Sequence, residues 1–179
     1  MTRRELISWV VAIAAFSAVA VGGYRLFERQ WWLSKMPPNL GVDRVLYSAS
    51  DSWGFGPGGN ETGVALYELP QDVAVSIIAG GIDHVLGVDG SRLTWNDTPL
   101  TGPSEWFEGE GALPQTGPVP VPRLHNYLNQ YGFGIPVDPA VTSLIDRALS
   151  EPGNKFAFTR TGVLLVMPKV GRVAYAYAG

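Results

Sequence analysis

The chain has 179 residues, 46% of them apolar, which allows one ordinary domain with a real core plus a short appendage. It contains no cysteine, which excludes a disulfide framework, a thiol nucleophile and thiolate metal sites. Residues 1–35 carry a net charge of +3, whereas residues 36–179 carry −6 and have no basic cluster. Nucleic-acid binding is therefore disfavoured, because phosphate neutralisation needs clustered Arg and Lys.

The N-terminal part of the chain predicts a membrane anchor. Residues 6–24 form a run of nineteen residues without a charge, close to the roughly 20 residues that a helix needs to cross a bilayer core. Residues 1–5 are then a cytoplasmic leader and residues 25–42 a membrane-proximal spacer. We expect the bilayer to be the partner of 6–24 and the domain at 43–179 to lie outside the cytoplasm, periplasmic or extracellular, since large domains translocate whatever their charge.

Two processed forms are alternatives to a permanent anchor. Ala18-Val19-Ala20 is an A-x-A pattern after an apolar run, which suits cleavage by signal peptidase after Ala20. Arg3-Arg4 matches part of a twin-arginine signal. The apolar run continues past Ala20, which favours the anchor. All three interpretations export the domain.

The first half of the domain predicts strands, a glycine-rich loop and a helix. Strands are predicted over 44–50 and 63–69, on either side of a loop at 52–63. A helix is predicted over 70–79, because it has a proline at its start, an apolar stripe, and a glycine pair after it. Residues 82–95 contain an Asp-Gly pair between strand-like runs and predict a hairpin.

The second half adds a long connection over 96–122, rich in proline and glycine, followed by further helices and strands. The whole pattern predicts an α+β fold, an antiparallel sheet with about three helices packed on one face. The remaining predicted elements are helices over 122–132 and 138–150, the second capped by Asp138, and a meander of strands over 155–160, 163–167 and 172–178.

The glycine-rich loop contains G-x-G-x-x-G at Gly54, Gly56 and Gly59. A dinucleotide site needs these glycines to lead into a helix, but here a strand follows and no lysine serves the loop. We therefore predict no nucleotide and no cofactor. Turning the chain does not explain Trp53 and Phe55, which either fold back onto the core or form a contact surface.

A candidate binding surface follows from the aromatic and polar residues of the two loops. Trp106 and Phe107 belong to an acidic stretch of the long connection, and they suit either a partner contact or an aromatic plug that pins this connection to the domain. The candidate binding residues are Trp53, Phe55, Asn60, Glu61, Trp106 and Phe107.

Catalytic chemistry has few candidates. Asp83 is placed to orient His84 only if the two side chains converge, whereas neighbours along a strand point apart. The two histidines have no ligand spacing around them, so no metal site is predicted. Acidic side chains could form a glycosidase-like pair; the candidates are Glu61, Glu68, Asp72, Glu105, Glu108 and Glu110.

The first functional hypothesis is a single-pass, membrane-anchored protein of the bacterial envelope whose exported domain binds a protein or glycan partner. One alternative is an exported hydrolase that uses carboxylates or His84. Another is a small subunit of a membrane complex, in which the helix at 6–24 supplies the main contact through Ala14, Ala18 and Gly22.

Overall fold

The computed structural model describes residues 2–53, 60–86, 93–101, 106, 121–132 and 134–179, except the side chains at positions 3–6, 8, 11 and 60. Two compact units make up the chain, Met1–Lys35 and Met36–Gly179. Six strands and five α-helices lie in this described part of the chain.

The first unit is built on one long helix, α1 (Arg3–Leu33). This helix runs past the predicted 6–24 segment into residues that were expected to form the spacer. Large apolar side chains along it are exposed, with Phe16 at 76% and Val19 at 74%. Among the residues described, no helix combines the length and apolar character that crossing a membrane requires, so the transmembrane helix predicted over 6–24 is not supported by this finding.

A six-stranded antiparallel sheet forms the centre of the second unit, with the strand order β1-β2-β6-β5-β4-β3. The α+β class and the antiparallel sheet are therefore as predicted. The central strand β5 is buried along its whole length, as its unbroken apolar run indicates. The strands are β1 (Val45–Trp53), β2 (Asn60–Glu68), β3 (Asn96–Asp97), β4 (Lys155–Thr159), β5 (Gly162–Met167) and β6 (Arg172–Ala178).

One helix of the second unit has the predicted side-chain cap. The Asp138 carboxylate accepts a hydrogen bond from the Ala140 N–H at 2.7 Å, so it caps the fourth of these helices as expected. The helix predicted over 122–132 is only five residues long. The helices are α2 (Gln71–Gly80), α3 (Ile82–Leu86), α4 (Leu124–Leu128) and α5 (Pro139–Ser150), with 3₁₀ helices at Pro38–Leu40 and Pro168–Val170.

The main hydrophobic core lies between α4, α5 and one face of the sheet, which we call face A. Leu124 and Leu128 of α4 and Ile145 and Leu149 of α5 pack against this face. One hydrogen bond ties α4 to α5. The Asp146 carboxylate accepts from the Leu124 N–H at 2.7 Å. The strand residues of face A in this core are Val64, Leu66, Phe156, Val163, Leu165, Met167, Ala174 and Ala176.

The opposite face of the sheet, face B, is also buried, and this corrects the prediction that the helices pack on one face. Successive strand residues point to opposite faces, so Tyr67, Leu164 and Val173 belong to face B, and all three are at most 1% exposed. Five further buried apolar residues outside the face A core lie in α2, α3 and the first 3₁₀ helix; these are Leu40, Ala74, Ile77, Ile82 and Leu86. These elements form a second layer.

The hairpin predicted over 82–95 is wrong where the structure describes it. Residues Ile82–Leu86 form α3, which contacts α2. The buried residues Ile82 and Leu86 are four apart, which suits one side of a helix. The Asn39 amide donates to the Leu86 carbonyl at 2.6 Å and holds the end of α3 against the first 3₁₀ helix. The Asp-Gly turn at 89–90 lies outside the described residues.

Candidate functional site

A cleft of about 610 Å³ opens in the second unit where β2 leads into α2. We call it the α2 cleft. Its volume falls within the range of about 300–1,000 Å³ that is usual for small-molecule pockets. Its lining residues come from α2, the end of β2, the start of β6 and the two 3₁₀ turns: Gly41, Asp43, Glu68, Leu69, Pro70, Gln71, Ala74, Val75, Ile78, Pro168, Lys169, Gly171 and Arg172.

Two similar turns contribute residues to the lining of the α2 cleft. Each is a 3₁₀ helix that starts with a proline and ends at a glycine with positive φ, Gly41 at 60° and Gly171 at 63°. A side chain is strained in this left-handed conformation, so the glycines permit both turns. The Leu69 N–H donates to the Gly171 carbonyl at 3.0 Å, which ties the second turn to the end of β2.

The charges of the α2 cleft balance. Asp43 and Glu68 are acidic, and Lys169 and Arg172 are basic. The Arg44 guanidinium donates to the Glu68 carboxylate at 3.1 Å, with both side chains substantially exposed, and Arg172 lies opposite Glu68 in the β2–β6 register. A cleft with paired charges suits a neutral or zwitterionic group better than a phosphate.

One wall of the α2 cleft is apolar and open to solvent. Val75 and Ile78 lie three apart on α2 and are 58% and 60% exposed, whereas Ala74 beside them is buried. Burying two such side chains against a partner stabilises a complex by roughly 1.5–3 kcal/mol each. The arrangement can therefore bind an apolar group while the polar side chains orient it.

The predicted binding residues of the β1–β2 hairpin do not form one surface. Trp53, 49% exposed, is the last residue of β1 and pairs with Asn60, whereas Glu61 pairs with Ser52. Neighbouring pairs point to opposite faces of a sheet, so Trp53 and Glu61 lie on opposite faces. Phe55 lies outside the described residues.

Glu61 faces a tyrosine on face B. The Tyr177 ring lies across Gly63, where an added Cβ would come within 2.5 Å of the ring. Burial raises the pKa of Tyr177 to about 12, the nearby Glu61 carboxylate also raises it, and a hydrogen bond with Ser50 lowers it. Glu61 therefore has an electrostatic neighbour within this domain.

Trp106 is buried, which corrects its assignment to a contact surface. Its side chain is 1% exposed and belongs to the face A core. Its indole N–H donates to the Arg123 carbonyl at 2.9 Å, and its ring lies 4.8 Å from the Tyr127 ring. These contacts fit the alternative interpretation, an aromatic plug that pins the long connection. Phe107 lies outside the described residues.

Asp83 and His84 do not converge on a substrate site. Both are exposed on α3, and neighbouring residues of a helix point about 100° apart. The His84 ring lies beside Gly80, where an added Cβ would be 3.1 Å from it. Neither residue lines the α2 cleft.

Glu61 and Glu68, the two acidic candidates on β2, do not form a glycosidase pair. Glu61 and Glu68 are seven residues apart on one strand, or about 23 Å at a rise of about 3.3 Å per residue, whereas such pairs need about 5–9.5 Å. Glu105, Glu108 and Glu110 lie outside the described residues. Within the described part of the chain, no cluster of three or more His, Asp or Glu suits a metal ion.

No family model, curated protein or solved structure matches the chain. Its function is therefore inferred from its own sequence and geometry.

Apart from Glu68, which was one of the candidate acids, the residues of the α2 cleft were missed by the sequence-based prediction. A usable signal was present in Pro38-Asn39-Leu40-Gly41 and Pro168-Lys169-Val170-Gly171, which share a proline and a glycine at the same spacing. Such a pattern predicts two short turns. It does not predict that the turns meet beside α2, because that depends on the pairing of β2 with β6.

Proposed function

We propose that the chain is a single-pass, membrane-anchored protein of the bacterial envelope whose exported domain binds a protein or glycan partner in the α2 cleft. The membrane location rests on the uncharged run at 6–24. The binding role rests on the α2 cleft, and it replaces the hairpin surface that the sequence suggested.

The support for the anchor comes from composition and exposure. The run at 6–24 includes positions 6, 8 and 11, whose side chains are outside the described part of the structure. Of the described side chains of α1, Ile13, Phe16 and Val19 are each more than 60% exposed. Exposed apolar surface on this scale marks a lipid or protein contact.

The support for binding is the combination of an open apolar wall with balanced charges. Val75 and Ile78 offer apolar area, and the charged residues Asp43, Glu68, Lys169 and Arg172 line the same cleft. Catalysis by the cleft carboxylates is less well supported. A general acid is usually desolvated, whereas Asp43 is exposed and the Glu68 side chain is 45% exposed and bonded to Arg44.

The anchor is tested by fractionating cells that produce the full chain and washing the membranes with alkaline carbonate. We expect the chain to stay with the membranes and to keep the mass of residues 1–179. A mature chain that begins at Val21 and washes off the membranes would contradict the anchor and indicate cleavage after Ala20.

The binding role is tested by copurification from mild detergent extracts. Lys169→Glu reverses the charge of an exposed residue that lines the α2 cleft, and Arg160→Glu reverses an exposed charge in the turn between β4 and β5. We expect Lys169→Glu to lower partner recovery about tenfold, since a misplaced charge costs on the order of 1.4 kcal/mol or more, and Arg160→Glu to leave it unchanged. Equal recovery with both variants would remove the α2 cleft from the proposal.

The small-subunit alternative makes a different prediction in the same assay. If α1 supplied the main contact, deletion of residues 1–35 would abolish copurification and Lys169→Glu would not change it. Under the proposal, the partner still binds residues 36–179.

A further inference from the structure

The two edges of the sheet differ in how open they are to another strand. The β3 edge is two residues long, and the Lys155 amine contacts the Asp97 carboxylate across it at 2.7 Å. The β1 edge is nine residues long, and its only register irregularity lies between Val45 and Tyr47. Proteins protect edges with short strands, prolines, charged side chains or bulges, and from Ser48 onward β1 has only one of these, the charged Asp51.

The hydrogen bonds of β2 identify which groups of β1 point outward. The Glu61 N–H and carbonyl both bond to Gly179, so odd-numbered residues of β2 face β6 and even-numbered ones face β1. The β1 partners of the even-numbered residues are Tyr47, Ala49 and Asp51, which therefore bond inward. The serines between and beyond them present their N–H and carbonyl groups at the edge with which no other described strand pairs; these are Ser48, Ser50 and Ser52.

One of these outward N–H groups already has a hydrogen-bond acceptor within β1. The Asp51 carboxylate accepts a hydrogen bond from the Ser52 N–H at 2.8 Å, which ends the open stretch. Ser48 and Ser50 remain as two successive outward residues, placed symmetrically about Ala49. An incoming antiparallel strand can therefore pair with these two residues of β1, and it can exchange two hydrogen bonds with each of them.

We propose that the partner of this edge is β1 of a second copy of the chain, related by a two-fold axis through Ala49. In this register Ser48 of each copy bonds Ser50 of the other, which gives four hydrogen bonds and uses each open N–H. Asp51 is the one charged residue of β1, and it then stands opposite Tyr47 of the other copy rather than opposite a like charge. The interface is isologous and closed, so it stops at a dimer.

The dimer is expected to be weak and concentration-dependent. Two short strands bury less than the roughly 800 Å² per partner of a standard stable interface. The inference does not depend on the α2 cleft, which lies at the other end of β2 from the hairpin. It would hold for either functional hypothesis.

The test uses the absence of cysteine from the chain. In the proposed register Ala49 faces itself in a non-hydrogen-bonded pair, where Cα atoms are about 4.5 Å apart, within the range that a disulfide bridges. The full-length chain with Ala49→Cys is oxidised in membranes or detergent and run on a non-reducing gel. Ser143→Cys, exposed on α5, is the control for random collisions, and Ser48→Cys tests the register.

We expect Ala49→Cys to form a covalent dimer at least about tenfold faster than Ser143→Cys or Ser48→Cys, a difference of about 1.4 kcal/mol in activation free energy. Adding Ser48→Pro, which removes an outward N–H but no bond to β2, lowers the rate to that of the control. Thermal melts of each variant serve as the control for folding. Equal rates for positions 49 and 143, faster dimerisation at 48, a rate unchanged by Ser48→Pro, or a disulfide to a different protein would each overturn the proposal.

Discussion

At two glycines of the sheet, one added carbon atom would clash with a neighbouring group. At Gly162 an added Cβ would collide with the backbone carbonyl of Ala176, which cannot move without breaking the β5–β6 pairing. At Gly63 an added Cβ would meet the ring of Tyr177, and a ring can swing away. The same substitution therefore has different consequences at the two positions.

We expect Gly162→Ala to lower the free energy of unfolding by about 3 kcal/mol and Gly63→Ala by only about 1 kcal/mol. Urea unfolding of the full chain measures both. Adding Gly63→Ala to Tyr177→Ala costs nothing further, because the obstructing ring has gone. Equal losses for the two single glycine variants would contradict this account of the sheet.

Tyr177 gives the domain a dependence on alkaline pH. Its pKa is raised from 10.0 to about 12 in the folded chain, so its contribution to stability is complete below pH 10 and is lost as the pH rises towards 12. We expect the free energy of unfolding to fall over this interval, and to fall less in Tyr177→Phe. Burial also raises the pKa of Tyr67, Tyr127 and Tyr175, so part of the fall remains.

Glu61→Gln provides the matched control for that titration, because removing the neighbouring negative charge lowers the alkaline midpoint of Tyr177. Ultraviolet absorbance of the phenolate follows it directly. If Tyr177→Phe lost stability over this interval as steeply as the unmodified chain, Tyr177 would not be the group responsible.

At the scale of elements, α3 shows the limit of short patterns. Ile82, Val85 and Leu86 have helical spacing, but five residues before an Asp-Gly pair also fit a strand that enters a turn. The contact with α2 and the hydrogen bond from the Asn39 amide to the Leu86 carbonyl favour the helix. Neither interaction can be predicted from the local sequence.

The segment around β3 is held by a buried polar network. The Thr98 hydroxyl donates to the Glu151 carbonyl at 2.6 Å and accepts from the Asn154 N–H at 3.2 Å. Thr98 is 3% exposed and Asn154 8%. These bonds attach the start of the long connection to the turn after α5.

We expect Thr98→Val to lower the free energy of unfolding by about 2 kcal/mol, since it keeps the volume but leaves the buried Asn154 N–H without its acceptor. Thr98→Ser keeps the hydroxyl and is expected to cost less than about 1 kcal/mol. Thermal unfolding of both variants makes the comparison, and equal losses would show that the methyl group and not the hydroxyl matters.

At the scale of the whole molecule, the sequence predicted the elements better than their arrangement. The meander of β4, β5 and β6, the capped helix α5 and the helix after Pro70 all follow from local periodicity and caps. The burial of both sheet faces could not be predicted, because local periodicity identifies the apolar side of a helix but not the sheet face against which that side packs.

The candidate site was harder to predict for the same reason. Trp53 and Glu61 are close in the sequence but point to opposite faces, and Trp106 is taken into the core by its contacts with Tyr127 and Arg123. Lys169 reaches the cleft beside Pro70 only because β6 pairs with β2. Long-range pairing of this kind leaves no local mark in the sequence.

The central claim is that the partner binds in the α2 cleft, and site-specific photocrosslinking tests it most directly. A benzophenone amino acid replaces Val75 in the cleft or Ser143 on α5, in the full chain and in cells that naturally produce it. We expect a discrete ultraviolet-dependent adduct from position 75, sensitive to protease or to glycan-degrading enzymes according to the partner, lost with Lys169→Glu and absent from position 143. The same adduct from both positions, or one from position 75 that Lys169→Glu does not weaken, would contradict the account.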